Sequence, residues 1–352
     1  MERNFDYRFV PKISIRPDKI VRYDQVIKWW NNPIDNAREV CPKSTQKSTR
    51  VQVPENKLPD SNKHNFQLSA KAATRIKEKV TWLYELARNK TITTSSGKVL
   101  QSFKMNFITL TLPAKQIHST AEITAICLNQ FLTECKSVHN LENFVWRLEY
   151  QRNGNVHYHL ATDCYLDFDY VRAVWNRCLA KLGYIEAYHD IFSKLSFSQY
   201  NDRVNADGNT AISVVAERYA VGKRSAWRMP NTVDVRAVSN AKNIAFYISK
   251  YITKSEPLKI TKETLERDNE CSNMRLWFCS RSLSKLDKIV VFLEDFHDLA
   301  EKAVNSITDY VFKVFDYCKC WYFSTKNQSN ESKALFWKLF QDYAASVGYS
   351  PS

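Results

Sequence analysis

The stretch EYQRNGNVHYHLATD, residues 149–163, constrains the fold more than any other. Two runs of alternating side chains flank Asn153-Gly154-Asn155, which is the pattern of an antiparallel hairpin. Residues i and i+2 share a strand face, so His157 and His159 direct both imidazoles to one side. What joins them depends on the turn. A two-residue Asn153-Gly154 loop pairs Gln151 with Val156 and Tyr150 with His157. A three-residue loop, Asn153-Gly154-Asn155, pairs Arg152 with Val156, Gln151 with His157 and Glu149 with His159, and it alone brings Glu149 and Gln151 onto the histidine face. We expect the longer loop, because Gly154 can take the left-handed position of a bulged hairpin and because the resulting donor set is chemically coherent. Two imidazoles, one carboxylate and one amide with open positions suit Mg²⁺ or Mn²⁺, whereas tetrahedral zinc more often recruits Cys. A merely polar sheet face is the plain alternative, and Glu149 in register argues against it.

The flanking chain supplies more strands and helices. KVLQSFKMNFITLTLP reads as strand, with Phe107, Thr109 and Thr111 on one face, Ile108, Leu110 and Leu112 on the other, and Pro113 ending it. STAEITAICLNQFLTECKSV reads as a helix capped by Ser119 or Thr120, and DFDYVRAVWNRCLAKLG as a helix opened by Asp167 or Asp169 and closed before Gly183. TVDVRAV and MRLWFCSRSL read as further strands. LSAKAATRIKEKVTWLYELARN is helical, with Ser69 as N-cap, Ile76, Val80, Leu83 and Leu86 on one stripe, and Lys71, Arg75, Lys77 and Lys79 opposite. Residues 184–230 look like an irregular surface insertion, 1–65 like a polar, proline-broken, partly ordered extension, and 286–352 like a mostly helical region.

What a hairpin of this kind acts on is narrowed by charge. The 352 residues carry 51 Lys and Arg against 37 Asp and Glu, a formal +14, which favours a polyanionic partner such as nucleic acid. Nine scattered cysteines form no CxxC pair, so neither a disulfide framework nor a zinc ribbon is expected; Cys318 and Cys320 read as buried thiols. The opening MERNFDYRFVPKISIRPDKI is charged from its second residue and no long apolar run follows, so a soluble, intracellular protein is expected. No phosphate-loop pattern occurs in the sequence.

IAFYISKYITKS places Tyr247 and Tyr251 four residues apart, one turn separated on one helix face, with Lys250 and Lys254 at the same spacing and Lys242 preceding. A phenol attacks phosphorus competently when a divalent cation polarises the phosphate and nearby cations stabilise the developing charge. Lys71, Arg75, Lys242 and Lys254 are expected to hold DNA phosphates.

Together these segments resemble the HUH endonuclease superfamily, most closely the rolling-circle replication initiators of small single-stranded DNA bacteriophages, of microvirus-like type, and of related plasmids. FITLTLP resembles the first family motif, EYQRNGNVHYH the second, with Tyr158 between the histidines and Glu149 or Gln151 as further ligand, and YISKY the third, in its two-tyrosine form with Lys250 alongside. The resemblance spans roughly residues 100–285. It implies an α+β fold, a central antiparallel sheet with flanking helices of ferredoxin-like or RRM-like type, in a nuclease domain over 66–285. It implies a metal-dependent, single-strand DNA endonuclease and ligase that acts at an origin hairpin, with Tyr247 and Tyr251 as nucleophiles, in the cytoplasm of a bacterial host that lends helicase and polymerase. A relaxase or transposase of the same superfamily, or a non-catalytic nucleic-acid binder, is the alternative.

Overall fold

The computed structural model describes residues 5–30, 68–93, 97, 99–238, 262–268, 275–292, 298–316 and 318–351. In chain order the elements are β1 (Phe5–Arg16), β2 (Lys19–Trp30), α1 (Ala70–Leu86), β3 (Lys90–Thr93), β4 (Val99–Phe103), β5 (Met105–Leu110), α2 (Thr120–Glu122), a π-helical stretch (Ile123–Leu128) and α3 (Asn129–His139). Then come β6 (Phe144–Tyr150), β7 (Val156–Thr162), α4 (Phe168–Ala180), α5 (Tyr184–Phe192), α6 (Phe197–Val204), α7 (Ile212–Arg224) and β8 (Val233–Val238). The last group is α8 (Lys262–Asp268), β9 (Trp277–Cys279), α9 (Arg281–Lys285), β10 (Ile289–Phe292), α10 (Asp298–Asn305), β11 (Tyr310–Phe315), β12 (Cys318–Phe323) and α11 (Asn330–Ser346). The fold is α+β with antiparallel sheets. No described helix is long and apolar enough to cross a membrane.

The chain divides into two compact units, one of Met1–His64 with Lys288–Leu339, the other of Asn65–Asp287 with Phe340–Ser352. In the larger unit a five-stranded sheet has the order β8-β5-β7-β6-β9. Its even-numbered positions on β5, β6 and β7 make the core. Ile108, Leu110, Trp146, Leu148, Tyr158 and Leu160 are buried together with Leu128, Phe131, Trp175 and Leu179 from the helices on that side. The helices start where the sequence places caps: Ser69 accepts from the Ala72 amide at 3.1 Å, Ser119 forms a capping box with Glu122, and Asp167 accepts from the Asp169 and Tyr170 amides. The stripe on α1 is buried as expected, and Gly183, at φ +75°, is the left-handed link between α4 and α5. The strand expected across 98–113 divides at Lys104: β4 pairs with β3 in a separate hairpin, and β5 enters the main sheet.

Residues 184–230 are ordered helices and not an irregular loop. Tyr200, Val215 and Trp227 are buried against Tyr188, Phe192, Leu195 and Tyr219, a small aromatic core whose members follow no single period. The free cysteines at 127, 135, 164, 178, 279 and 320 are buried, and burial pushes the Cys127 thiol up to about 12.

The smaller unit also contains a five-stranded antiparallel sheet, in the order β10-β1-β2-β12-β11. Residues 5–30 form a long hairpin closed at Pro17-Asp18, where a partly ordered extension was expected, and 289–292, 310–315 and 318–323 are strands where helix was expected. Pairing explains the difference: Val21 of β2 lies opposite Cys320, and Ile13 of β1 opposite Val291. Partners that distant in sequence leave no local signature. Ile13, Ile15 and Ile20 are buried on the hairpin, and Phe323 and Phe336 pack with ring centroids 5.0 Å apart.

Candidate metal and nucleic-acid site

The hairpin brings the expected donors to one face, but through a register different from either considered. Tyr150 lies opposite Val156, Glu149 opposite His157 and Arg147 opposite His159. The loop is Arg152-Asn153-Gly154, closed by hydrogen bonds from the Gln151 N–H to the Asn155 carbonyl at 2.8 Å and from the Gly154 N–H to the Gln151 carbonyl at 2.9 Å. Gly154, at φ +79°, occupies the last loop position, the usual place of a left-handed residue in a three-residue hairpin loop. Asn155 therefore stays on the strand, where its side chain accepts from the Gln116 amide and donates to the Ala114 carbonyl. The register moves by two residues, so parity is kept and Glu149 and Gln151 still face the histidines.

The side chains across this face form a row. Asp234 on β8, Thr109 on β5, His159 on β7, Arg147 on β6 and Trp277 on β9 are consecutive cross-strand partners. His159 Nε2 lies 3.3 Å from Glu149 Oε2, and its Nδ1 lies 3.3 Å from Thr109 Oγ1. Gln151 Nε2 is 2.8 Å from His157 Nδ1, and the two imidazole centroids are 4.6 Å apart. Phe107 stacks beside His159 at 5.8 Å. Burial, helped by the neighbouring His159, lowers His157 to about 4, so its ring is neutral at physiological pH. Burial opposes ionisation of Glu149, yet the hydrogen bond with His159 and the Arg147 charge outweigh it and hold the carboxyl below the usual carboxylate range.

Tyr158, between the histidines, faces the other way. Its ring is fully buried against Trp146 and Trp175, and its hydroxyl is 2.7 Å from Thr124 Oγ1 in the π-helical stretch. A polar aromatic is thus satisfied inside the core.

In kind, the donor set fits a hard divalent cation: neutral imidazoles, a carboxylate and an amide on one face. In geometry, its members are closed onto one another by hydrogen bonds. Among the described residues no group of three or more His, Cys, Asp or Glu side chains converges to hold a metal ion. Gln151 presents its NH₂ to His157 Nδ1, which leaves the proton on Nε2; the amide turned over would accept from Nδ1 and free the Nε2 lone pair.

Arg147 is the member that spacing did not point to. It pairs with Glu149 at 3.0 Å, while its Nε and Nη1 are buried without a partner. A signal existed in the sequence: Arg147 has the parity of Glu149 and lies two residues before it.

Lys71 and Arg75 are exposed on α1. Lys79, on the face assigned to solvent, instead donates to the carbonyls of Ser284 and Leu286. Tyr247, Tyr251, Lys250, Lys242 and Lys254 lie outside the described residues. The chain on either side of them is fixed to this sheet: Val238 in β8 lies opposite Met105, and after them Arg267 in α8 donates to the Gly154 carbonyl at the hairpin tip. Beside it Asp268, fully buried, accepts from the Thr120 amide at 2.7 Å and from the Tyr150 hydroxyl at 3.0 Å.

No curated protein and no solved structure matches the chain. Residues 105–256, which run from β5 through the hairpin to beyond Tyr251, match the model of the Replication-associated protein ORF2 family, a rolling-circle replication initiator family, and the match supports a replication-initiator role.

Proposed function

We propose that this protein is a metal-dependent single-strand DNA endonuclease and ligase that initiates rolling-circle replication. The observation that carries the reading is the coincidence, inside the matched segment, of a row of imidazole, carboxylate and guanidinium groups on one sheet face with the Tyr247–Tyr251 pair. His157, His159 and Glu149, with Gln151 through its amide oxygen, would hold Mg²⁺ or Mn²⁺. The cation's chemistry is polarisation of the scissile phosphate.

The chain's own groups do the rest. Tyr247 or Tyr251 attacks phosphorus through its phenolic oxygen; the new O–P bond replaces the bond to the 3′ oxygen, which leaves as a hydroxyl and primes synthesis by a host polymerase. The 5′-phosphotyrosine keeps the bond energy, so rejoining needs no ATP. The second tyrosine can cut the regenerated origin and release a unit-length circle, with a host helicase opening the duplex ahead. Arg147, with two N–H groups unsatisfied beside Glu149, is placed to donate to a non-bridging phosphate oxygen as charge develops there. Lys250, beside the nucleophiles in sequence, would serve the same charge, and Lys71, Arg75, Lys242 and Lys254 would contact flanking phosphates.

The reading is tested by incubating the protein with single-stranded origin oligonucleotides, with Mn²⁺ or with chelator, on a denaturing gel. Cleavage that needs the cation and leaves one product linked to protein is the expected result. Cleavage unchanged by chelator removes the metal from the mechanism, and tight binding without cleavage favours a non-catalytic binder.

A further inference from the structure

The helical segment 184–231 encloses, against α4, a cleft of about 500 Å³, within the size range of small-ligand sites. None of the residues lining it belongs to the histidine row. Its aromatic wall is Tyr188, Tyr200 and Trp227. Trp227 is 3% exposed, and the backbone takes two consecutive left-handed non-glycine residues, Ala226 at φ +48° and Trp227 at φ +57°, to deliver it. Gly222 makes room: a Cβ there would fall 2.2 Å from the indole ring. Packing against Phe192, Tyr200 and Tyr219, at centroid distances of 5.5, 5.2 and 5.6 Å, accounts for the ring.

Packing does not account for the nitrogen. The indole Nε1 of Trp227 is buried with no hydrogen-bond partner, and so is Nε of Arg172, which lines the same cleft. Both groups can only donate. A second guanidinium, Arg218, is exposed at the same cleft beside Glu217. An apolar ligand would leave both donors unsatisfied, and a free phosphate would leave the rings unused. A flat ring bearing acceptors, joined to a phosphate, uses all of them.

We infer that this cleft binds one unpaired nucleotide of single-stranded DNA. Its base lies against Tyr188 and Tyr200, with Trp227 Nε1 donating to a base acceptor and Arg172 and Arg218 holding the phosphate. The choice of DNA as the polymer rests on the proposed function; the cleft itself uses neither the metal nor the tyrosine pair.

The test uses the full chain with chelator present, so that no cleavage intervenes. Oligothymidylate carrying a single 2-aminopurine reports binding, and a matched strand carrying 5-iodouracil reports contact after irradiation. Crosslinks should map to Tyr188, Tyr200 or Trp227. Trp227→Phe, which keeps a ring and removes the donor, and Arg172→Met should each weaken binding by about 5- to 20-fold. Arg172→Met lies outside the aromatic core and should melt as the wild type does, so its loss of affinity reports contact and not folding. Unchanged affinity in both variants, crosslinks confined to other residues, or no binding by the wild type overturns the assignment. Adduct formation with Mn²⁺ is scored separately: crosslinks in the cleft without any adduct keep the cleft and sink the nuclease, and an adduct without cleft crosslinks does the reverse.

Discussion

Both units contain a five-stranded antiparallel sheet, and the two sheets differ in what they do with their faces. In the larger unit one face of β5, β6 and β7 is apolar and buried under helices, and the other gathers Thr109, His157, His159, Glu149 and Arg147. In the smaller unit β11 is exposed along its whole length although it reads YVFKVF, and the buried hairpin residues Ile13, Ile15 and Ile20 carry no ionisable group. Sheet architecture alone therefore does not make a site. What distinguishes the first sheet is a face on which desolvated acid, base and guanidinium groups restrain each other's ionisation.

The largest expected effect separates the two sheets outright. His157→Ala or His159→Ala should lower the cleavage rate by about 100-fold or more while single-strand DNA binding is kept, because the groups act on the reacting phosphate. Ile15→Ala should leave the cleavage rate per folded molecule unchanged. Its effect is on stability: losing a fully buried side chain should cost about 2–5 kcal/mol in chemical denaturation, as should Leu160→Ala in the larger unit. Loss of cleavage chemistry in folded Ile15→Ala protein would erase the distinction.

Arg147→Met keeps the stem and removes the charge, and should slow cleavage by about 10- to 100-fold. Glu149→Ala should cost more than Gln151→Ala, since a carboxylate neutralises cation charge and an amide does not.

Acid should act on the histidine face as well. His157 is held at about 4, below its ordinary value of about 6.5, so as pH falls through that window the unfolded chain takes up a proton that the fold refuses, and stability drops. Glu149, held low, adds a loss in the same direction as it protonates at still lower pH. Urea titrations of wild type and His157→Gln should differ in their pH slope between about 6.5 and 4 by about 1–2 kcal/mol, allowing for partial exposure. Equal slopes would show that His157 is not buried as described. The smallest effect is ionic: if about six phosphates are neutralised, the log-log dependence of single-strand binding on salt should have a slope near −4, and reversing Lys71 or Arg75 should change it by about one unit or less.

Much of the larger unit was legible in the sequence because its information is local. Ser119, Asp167 and Ser69 cap the helices they precede, and the alternation of FITLTLP and VHYHL assigns both faces of the sheet. The hairpin register was missed by two residues, because the side chains of Asn155 and Gln116 decide where the loop ends and they meet only in three dimensions. Parity survived, and with it the shared face of Glu149, Gln151, His157 and His159. The smaller unit was not legible, since β1 and β2 complete their sheet with strands from the other end of the chain. The aromatic core of 184–230 escaped for a related reason: Tyr188, Tyr200, Tyr219 and Trp227 come from three helices and a turn, with no common period. Arg147 escaped because a cation beside a proposed metal ligand reads as a competitor until its unpaired N–H groups are seen.

The central claim is that the histidine face activates a phosphate for attack by a tyrosine of the 247–251 pair. The measurement that reaches it most directly is peptide mapping by mass spectrometry of the covalent complex formed with single-stranded origin DNA and Mn²⁺, in wild type and in Tyr247→Phe, Tyr251→Phe and double-mutant proteins. The account predicts adducts on Tyr247 and Tyr251 in the wild type, on the remaining tyrosine in each single mutant, and none in the double mutant or in His157→Ala. An adduct mapped to any other residue, or one that persists in the double mutant, would contradict it.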